Sequence, residues 1–153
     1  MNLFELATDP DKDAKGVWIE YPDYSDNGSQ KPAEFLIAST ASREYRKALN
    51  IEVKKRFHRR WMEDIESRDE AEIQAMAKAV LLSWRGAVYL DRAGEVTPYS
   101  REAAIKALRI PAFKAWVEAE ANNIDNFQAQ EKAADIAALK SGAQMGAAVQ
   151  PPR

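Results

Sequence analysis

Apolar residues recur along this chain with two different periods. From Gly16 to Tyr21 the sequence sets Val17 and Ile19 against Trp18 and Glu20, the two-residue period of a half-buried strand. Glu34–Ala38 is a second apolar run of strand length, and the Asp-, Ser-, Asn- and Gly-containing stretch from Pro22 to Pro32 reads as the loop between them. Together they predict a loose antiparallel hairpin near the N-terminus, which is marginal alone and has to pack on helices. Ser39 and Thr40 then offer N-cap oxygens. Tyr45, Leu49, Val53, Phe57, Trp61 and Ile65 follow at every fourth position, predicting a long helix from about Ala41 whose apolar ridge drifts around its axis. Ser67-Arg68-Asp69-Glu70 fits a capping box. It predicts a second helix with Ile73, Met76, Ala77, Val80, Leu81 and Trp84 as its buried stripe and Gly86 at its end.

Beyond Gly86, a turn at Asp91-Arg92-Ala93-Gly94 lies between Val88-Tyr89-Leu90 and Val96-Thr97, a pattern that allows a short second hairpin. Pro98-Tyr99-Ser100 opens a third helix with Ala103, Ala104, Ala107 and Leu108 on its apolar side. Pro111 suits the first turn of a fourth helix, because its missing N–H has no partner to lose there. Phe113, Trp116 and Val117 supply that helix's core face, and Asn122-Asn123 closes it. Asp125 or Asn126 can cap a last helix running through Lys140, with Phe127, Ile136 and Leu139. The predicted fold is therefore mainly α: a helical domain with a small N-terminal β-hairpin and a disordered C-terminal tail. In sequence terms this is a polar, loosely ordered start over residues 1–14, a single domain over 15–140, and a Gly/Ala/Gln tail over 141–153 ending in Pro151-Pro152.

Composition narrows the chemistry. The 153 residues include no cysteine and a single histidine, His58, so thiolate metal sites, disulfides and cysteine nucleophiles are excluded. His58 stands among Lys55, Arg56, Arg59 and Arg60, neighbours that favour its neutral form. No phosphate-cradling glycine loop occurs, and acidic pairs such as Glu63/Asp64, Asp69/Glu70 and Glu118/Glu120 read as solvated helix faces. Catalysis, cofactors and metals are not expected. No apolar run approaches the ~18 residues of a membrane span. Met1–Asp13 carries acids and lacks the basic start and apolar stretch of a secretory signal, so residence in the cytoplasm is the expectation.

Charge changes the picture more. Residues 1–40 hold eight acids and three bases, net −5; residues 41–60 hold eight bases and two acids, net +6; residues 61–100 hold eight acids and four bases, net −4. A basic segment thus sits between two acidic ones, suited either to charge balance within the fold or to contacts between neighbouring subunits. The cluster Lys54-Lys55-Arg56-Phe57-His58-Arg59-Arg60 places Lys55, Arg56, Arg59 and Arg60 opposite Phe57 and Trp61 on a helix. Nucleic-acid binders show such faces, but the pI of 5.6 and the acidic flanks argue against one here and favour a surface facing acidic protein segments. Of the four tryptophans, Trp18, Trp61, Trp84 and Trp116, most are expected in the core, with one at an interface.

The stretch from Ala79 through Leu108 is the most individual part of the chain. Trp84, Gly86, Asp91, Gly94, Pro98, Tyr99, Ser100, Ala103 and Leu108 occur in an order that resembles the central signature of siphophage tail assembly chaperones. Phe35-Leu36-Ile37 with Ser39, Tyr45, Arg46 and Leu49 is similar to that family's strand-then-helix opening, and Phe127 through Lys140-Ser141 to its C-terminal helix, with Ser141 where the family has Asn. The resemblance spans roughly residues 33–141. It implies a non-catalytic bacteriophage protein of the host cytoplasm that binds the tape measure protein and keeps it soluble. Such a protein promotes tail tube assembly and is absent from the mature virion. It also implies a homo-oligomer, and a longer frameshifted form that recruits the tail tube protein, with Ser141–Arg153 near such a junction. The partner-binding candidates are Lys55, Arg56, Arg59, Arg60, Trp84, Pro98 and Tyr99. The alternatives are another phage structural accessory, such as a head–tail completion protein, and a nucleic-acid-binding regulator using the basic helix.

Overall fold

The computed structural model describes residues 1–22, 32–56 and 65–128. In chain order these form a 3-10 turn at Leu3–Leu6, α1 (Pro10–Lys15), β1 (Val17–Glu20), β2 (Glu34–Ile37), α2 (Arg43–Arg56), α3 (Ile65–Ala79), β3 (Leu81–Arg85), α4 (Arg101–Leu108), α5 (Pro111–Asn122) and a closing 3-10 turn at Ile124–Phe127. The architecture is mainly α around a small sheet, as the periodicity predicts. Most of the Pro22–Pro32 loop, the segment carrying Phe57, Trp61, His58, Arg59 and Arg60, the last helix through Lys140 and the tail Ser141–Arg153 lie outside the described residues.

The hairpin forms where the alternation places it. β1 pairs antiparallel with β2, Val17 opposite Ile37 and Ile19 opposite Phe35. The sheet has a third strand that the sequence reading missed, in the order β1-β2-β3. Leu81–Arg85 lies on the free edge of β2, whereas its apolar spacing predicts the end of a helix. The cause is a bulge. Glu34 pairs with Arg85, Phe35 with Trp84 and Leu36 with Ser83, but Ile37 pairs with Leu81, so Leu82 is the extra residue. Leu81 and Trp84 are three apart in sequence, yet the extra residue brings both onto the face of Ile37 and Phe35, and both are buried. A bulged strand thus counterfeits the three-residue step of a helix. The helix itself stops at Ala79, and Gly86 ends the strand with φ of +89°, where a Cβ would meet the Pro32 carbonyl oxygen at 2.2 Å.

Other boundaries shift for local reasons. The oxygen that caps α2 is Ser42 Oγ, accepting from Tyr45 N–H at 3.1 Å, while Ser39 Oγ accepts from Ala41 N–H in the preceding turn. Ile65 begins α3, so the Ser67–Glu70 pattern lies inside that helix and does not start it. Residues 87–99 form no strands; the Asp91 carboxylate closes the expected turn by accepting from Ala93 N–H at 3.0 Å. Ser100 caps α4 through Ala103 N–H, Pro111 opens α5 and Asn123 closes it, each as the sequence predicts. The start read as loosely ordered carries the first 3-10 turn and α1. Asp9 N–H donates to the Phe127 carbonyl at 2.8 Å, and Lys12 Nζ to that of Gln128 at 3.0 Å, tying the N-terminus to the last turn.

The sheet's inner face, α3, α4 and α5 enclose one apolar core that includes Phe35, Ile37, Met76, Val80, Leu81, Trp84, Leu108 and Val117. α2 touches this core only through Tyr45. It packs on α3 through Ala48, Ala75 and Ala79, bordered by Tyr45 and Leu49. Ion pairs link α3 to the chain around α5, Arg109 to Glu70 at 2.8 Å and Lys114 to Glu72 at 2.8 Å, and Lys114 also pairs with Glu118 within α5 at 2.9 Å. Burial opposes charge on Lys114, but the two carboxylates outweigh it and raise its pKa.

Candidate functional site

The chain offers a partner an apolar cleft where sheet, loop and helices meet. Tyr21 and Phe35 contribute from the sheet side, Ala87 to Leu90 from the loop, and Ala107, Ile110 and Phe113 from α4 and α5. Its volume is about 250 Å³, enough for one or two large side chains but not for the body of a helix. Its rim is unusually apolar for solvent-facing positions: Tyr89 is 39% and Ile110 50% exposed. The floor belongs to an aromatic cluster. Phe35 lies 5.1 Å from Phe113 and 5.5 Å from Trp116, ring centre to ring centre, and Tyr21 lies 4.8 Å from Trp116. These distances suit edge-to-face and tilted packing, which adds about 0.5–1.5 kcal/mol per pair beyond the area buried.

The loop wall is held from behind. Trp84 packs edge-to-face on both Phe35 and Tyr99, and its indole N–H donates to the Thr97 carbonyl at 2.8 Å. Thr97 in turn donates its N–H to the Val88 carbonyl at 2.7 Å and accepts from Leu90 N–H on its hydroxyl at 3.3 Å. Tyr99 donates its hydroxyl to the Leu81 carbonyl at 2.9 Å, and burial pushes its pKa up. A chain of bonds therefore runs from the buried indole through Thr97 to Val88 and Leu90, two residues that line the cleft.

This geometry sorts the residues singled out in the sequence. Trp84 is buried and Tyr99 half-buried, so both shape the cleft wall from inside and leave little surface for a partner; Pro98 is exposed beside them. Gly94 turns the loop with φ of +77°. Ser100 caps α4, while Ala103 and Leu108 are core. Most of the ordered signature is thus a folding device, closing a turn, capping a helix or filling the core. Thr97, Tyr89, Ile110 and Phe113 had no place among the candidates for partner contact. Ile110 carried a readable signal, an isolated large apolar residue directly before the helix-opening Pro111.

The basic residues form a separate surface. Lys55 and Arg56 end α2 and both pair with Glu52, at 3.3 and 2.6 Å. Burial raises the pKa of Glu52, but hydrogen bonds from Arg56 and Lys55 outweigh it and leave the carboxyl below its ordinary value. Arg56 is therefore committed to its own helix. Arg59 and Arg60 lie outside the described residues. Of the tryptophans, Trp84 is core, Trp116 is half-buried, and Trp18 is 40% exposed on the sheet's outer face with the Arg85 guanidinium 4.0 Å above its ring. Among the described residues no group of three or more His, Cys, Asp or Glu could hold a metal ion, and no helix is long and apolar enough to cross a membrane.

Fold and cleft define a small, mainly helical protein with an apolar surface cleft framed by a pinned loop, and its sequence relations place it among phage-derived proteins. A family model described as YdaY prophage protein matches residues 37–137, from the last residue of β2 to beyond the closing 3-10 turn, and the chain belongs to that family. Neither the curated proteins nor the solved structures contain a match.

Proposed function

We propose that this prophage protein is a tail assembly chaperone that acts by binding, with no reaction of its own. It takes apolar side chains of the tape measure protein into the cleft, keeps that long helical chain soluble in the host cytoplasm, and leaves before the virion is complete. The observation that carries this reading is the cleft, an apolar site sized for one or two side chains of a partner helix. Membership of a prophage family and the ordered Trp84–Leu108 signature support it. A site that grips only a few side chains per copy suits a partner that many copies cover and tube subunits later displace. A longer frameshifted form would bring in the tail tube protein.

Co-expression with the tape measure protein of the same genome tests this. The wild-type chain should raise the soluble yield of that protein and co-purify with it. The Tyr89→Glu/Ile110→Glu variant, changed only at exposed rim positions, should remain folded and lose both effects. A tape measure protein that stays as insoluble as with an unrelated helical control would overturn the function. Recovery of this chain from purified particles would point instead to a head–tail completion role.

A further inference from the structure

The basic block at 41–60 and the acidic block at 1–40 invite neutralisation of one by the other inside the fold, yet no ion pair between described residues joins them. The ion pairs present join Glu52 to Lys55 and Arg56, Glu34 to Arg85, Glu70 to Arg109, and Lys114 to Glu72 and Glu118. On α2, Arg43, Lys47, Asn50 and Lys54 are exposed at steps of four, three and four residues, one continuous stripe on the face turned away from α3. Arg46 and Ile51 flank it, Ile51 being 45% exposed. Among the described residues Arg43, Arg46, Lys47 and Lys54 have no carboxylate within ion-pair distance, whereas Lys55 and Arg56 on the same helix, Arg85, Arg109 and Lys114 do find one.

The acidic counterpart is a corner of the same molecule. Asp9, Asp11 and Asp125 are brought together because Asp9 N–H bonds the Phe127 carbonyl and Thr8 pairs with Gln128, and they outnumber the one cation there, Lys12, whose ammonium donates to the Gln128 carbonyl. These three carboxylates likewise have no ion-pair partner among the described residues. Around them stand Leu3, Phe4, Leu6 and Ile124, all exposed apolar side chains on a segment otherwise held in place. This corner lies at the N-terminal end of α2, since Thr40 N–H donates to the Ala121 carbonyl at 3.2 Å and its hydroxyl bonds Asn122. From Arg43 to Lys54 the stripe runs on for about 16 Å at the helical rise, so a subunit cannot fold its own corner over the far end.

We propose that the outer face of α2 is a self-association surface, on which the acidic and apolar corner of a second copy docks. An acidic end adjoining a basic run is self-complementary under a two-fold axis, each corner covering the partner's stripe, the commonest form of subunit contact. Leu3, Phe4 and Ile124 would then meet Ile51. An exposed apolar side chain within the stripe and an overall acidic chain favour a protein partner over a nucleic-acid backbone. This inference does not rest on the chaperone reading, and its test requires no tape measure protein.

The test is a charge swap read by sedimentation velocity. The wild-type chain should dimerise at low salt and dissociate as salt screens the contact. A stripe variant, Arg43→Glu/Lys47→Glu/Lys54→Glu, and a corner variant, Asp11→Lys/Asp125→Lys, should each be folded by circular dichroism and monomeric. Mixed one to one they should form a heterodimer, because acidic stripe now faces basic corner while the second contact keeps its natural charges. A monomeric wild type, variants that remain dimeric, or a mixture that stays monomeric overturns the proposal. So does a monomeric wild type that retards a DNA duplex in a gel through the same stripe.

Discussion

Two seams hold this molecule together, and they are built of opposite materials. Around β2, β3 and the start of α5 the contact is aromatic: Phe35, Trp84, Tyr99, Phe113 and Trp116 interlock, and the indole of Trp84 and the hydroxyl of Tyr99 each bond a backbone carbonyl. Between α2 and α3 the contact is made by Ala48, Ala75 and Ala79. The first seam buries large side chains and satisfies their polar ends. The second brings two backbones close but buries little apolar area per residue. The difference teaches where the fold is strong and where it has something to offer. The aromatic seam fixes the loop that walls the cleft, whereas α2 packs on α3 with one face and, among the described residues, carries unpaired cations on the other.

The largest expected effect comes from breaking the aromatic seam. Trp84→Ala should cost about 3–5 kcal/mol in chemical denaturation, because it leaves a large cavity against Phe35 and Tyr99. It should also release Thr97 and with it the cleft wall, so partner binding is lost even where the variant folds.

Overfilling the alanine seam should cost less. Ala75→Leu inserts three carbons into a fully buried helix contact, a change of about 1–3 kcal/mol. Hydrogen exchange should then show α2 amides opening first while the protection of β2 and β3 is kept. Equal loss of protection in both places would show that the two seams unfold as one.

Tyr99→Phe sharpens the comparison within the aromatic seam, since it keeps the ring against Trp84 and removes only the bond to the Leu81 carbonyl. The expected loss is about 0.5–1.5 kcal/mol, read from the denaturation midpoint at constant slope.

The smallest effect concerns the surface links. Glu70 is held below its ordinary carboxylate value, first by the hydrogen bond from Arg109 and then by that from Gln74. A carboxyl whose pKa is lower folded than unfolded contributes stability that is fully present above its unfolded value and is lost as pH falls through the folded one. Glu70→Gln should therefore cost at most about 1 kcal/mol at neutral pH, as exposed pairs do. The variant should also lose less stability than the wild type when pH is lowered from 6 to about 3.

Much of the fold was legible because local chemistry decided it. Alternation in 16–21 and an apolar run of strand length in 34–38 specified two strands whose pairing buries Phe35 and Ile37. The Ser100 cap, the proline at 111 and the Asn123 stop each act within a few residues, so α4 and α5 begin and end where their sequences say. The candidate site was harder. Trp84 was legible as part of a buried stripe and is buried, whereas nothing in the sequence around Tyr99 shows that its ring packs on Trp84. Thr97 was missed because its importance lies in the indole that reaches its carbonyl.

By itself, then, the sequence determined the hairpin, the bounds of α4 and α5, the mainly helical class and the separation of charge into blocks. Tertiary structure alone decided what Leu81 to Arg85 would become. Those residues satisfy a helical stripe and, with one bulged residue, a strand face equally well. The deciding factor was the open edge of β2, whose unpaired backbone groups β3 satisfies while burying Leu81 and Trp84 on the core side. Among the described residues, the tertiary structure also leaves Arg43, Lys47 and Lys54 on the outer face of α2 without an ion pair. Sequence order records which charges a chain carries, but only the packing of α2 on α3 determines which of them turn toward solvent.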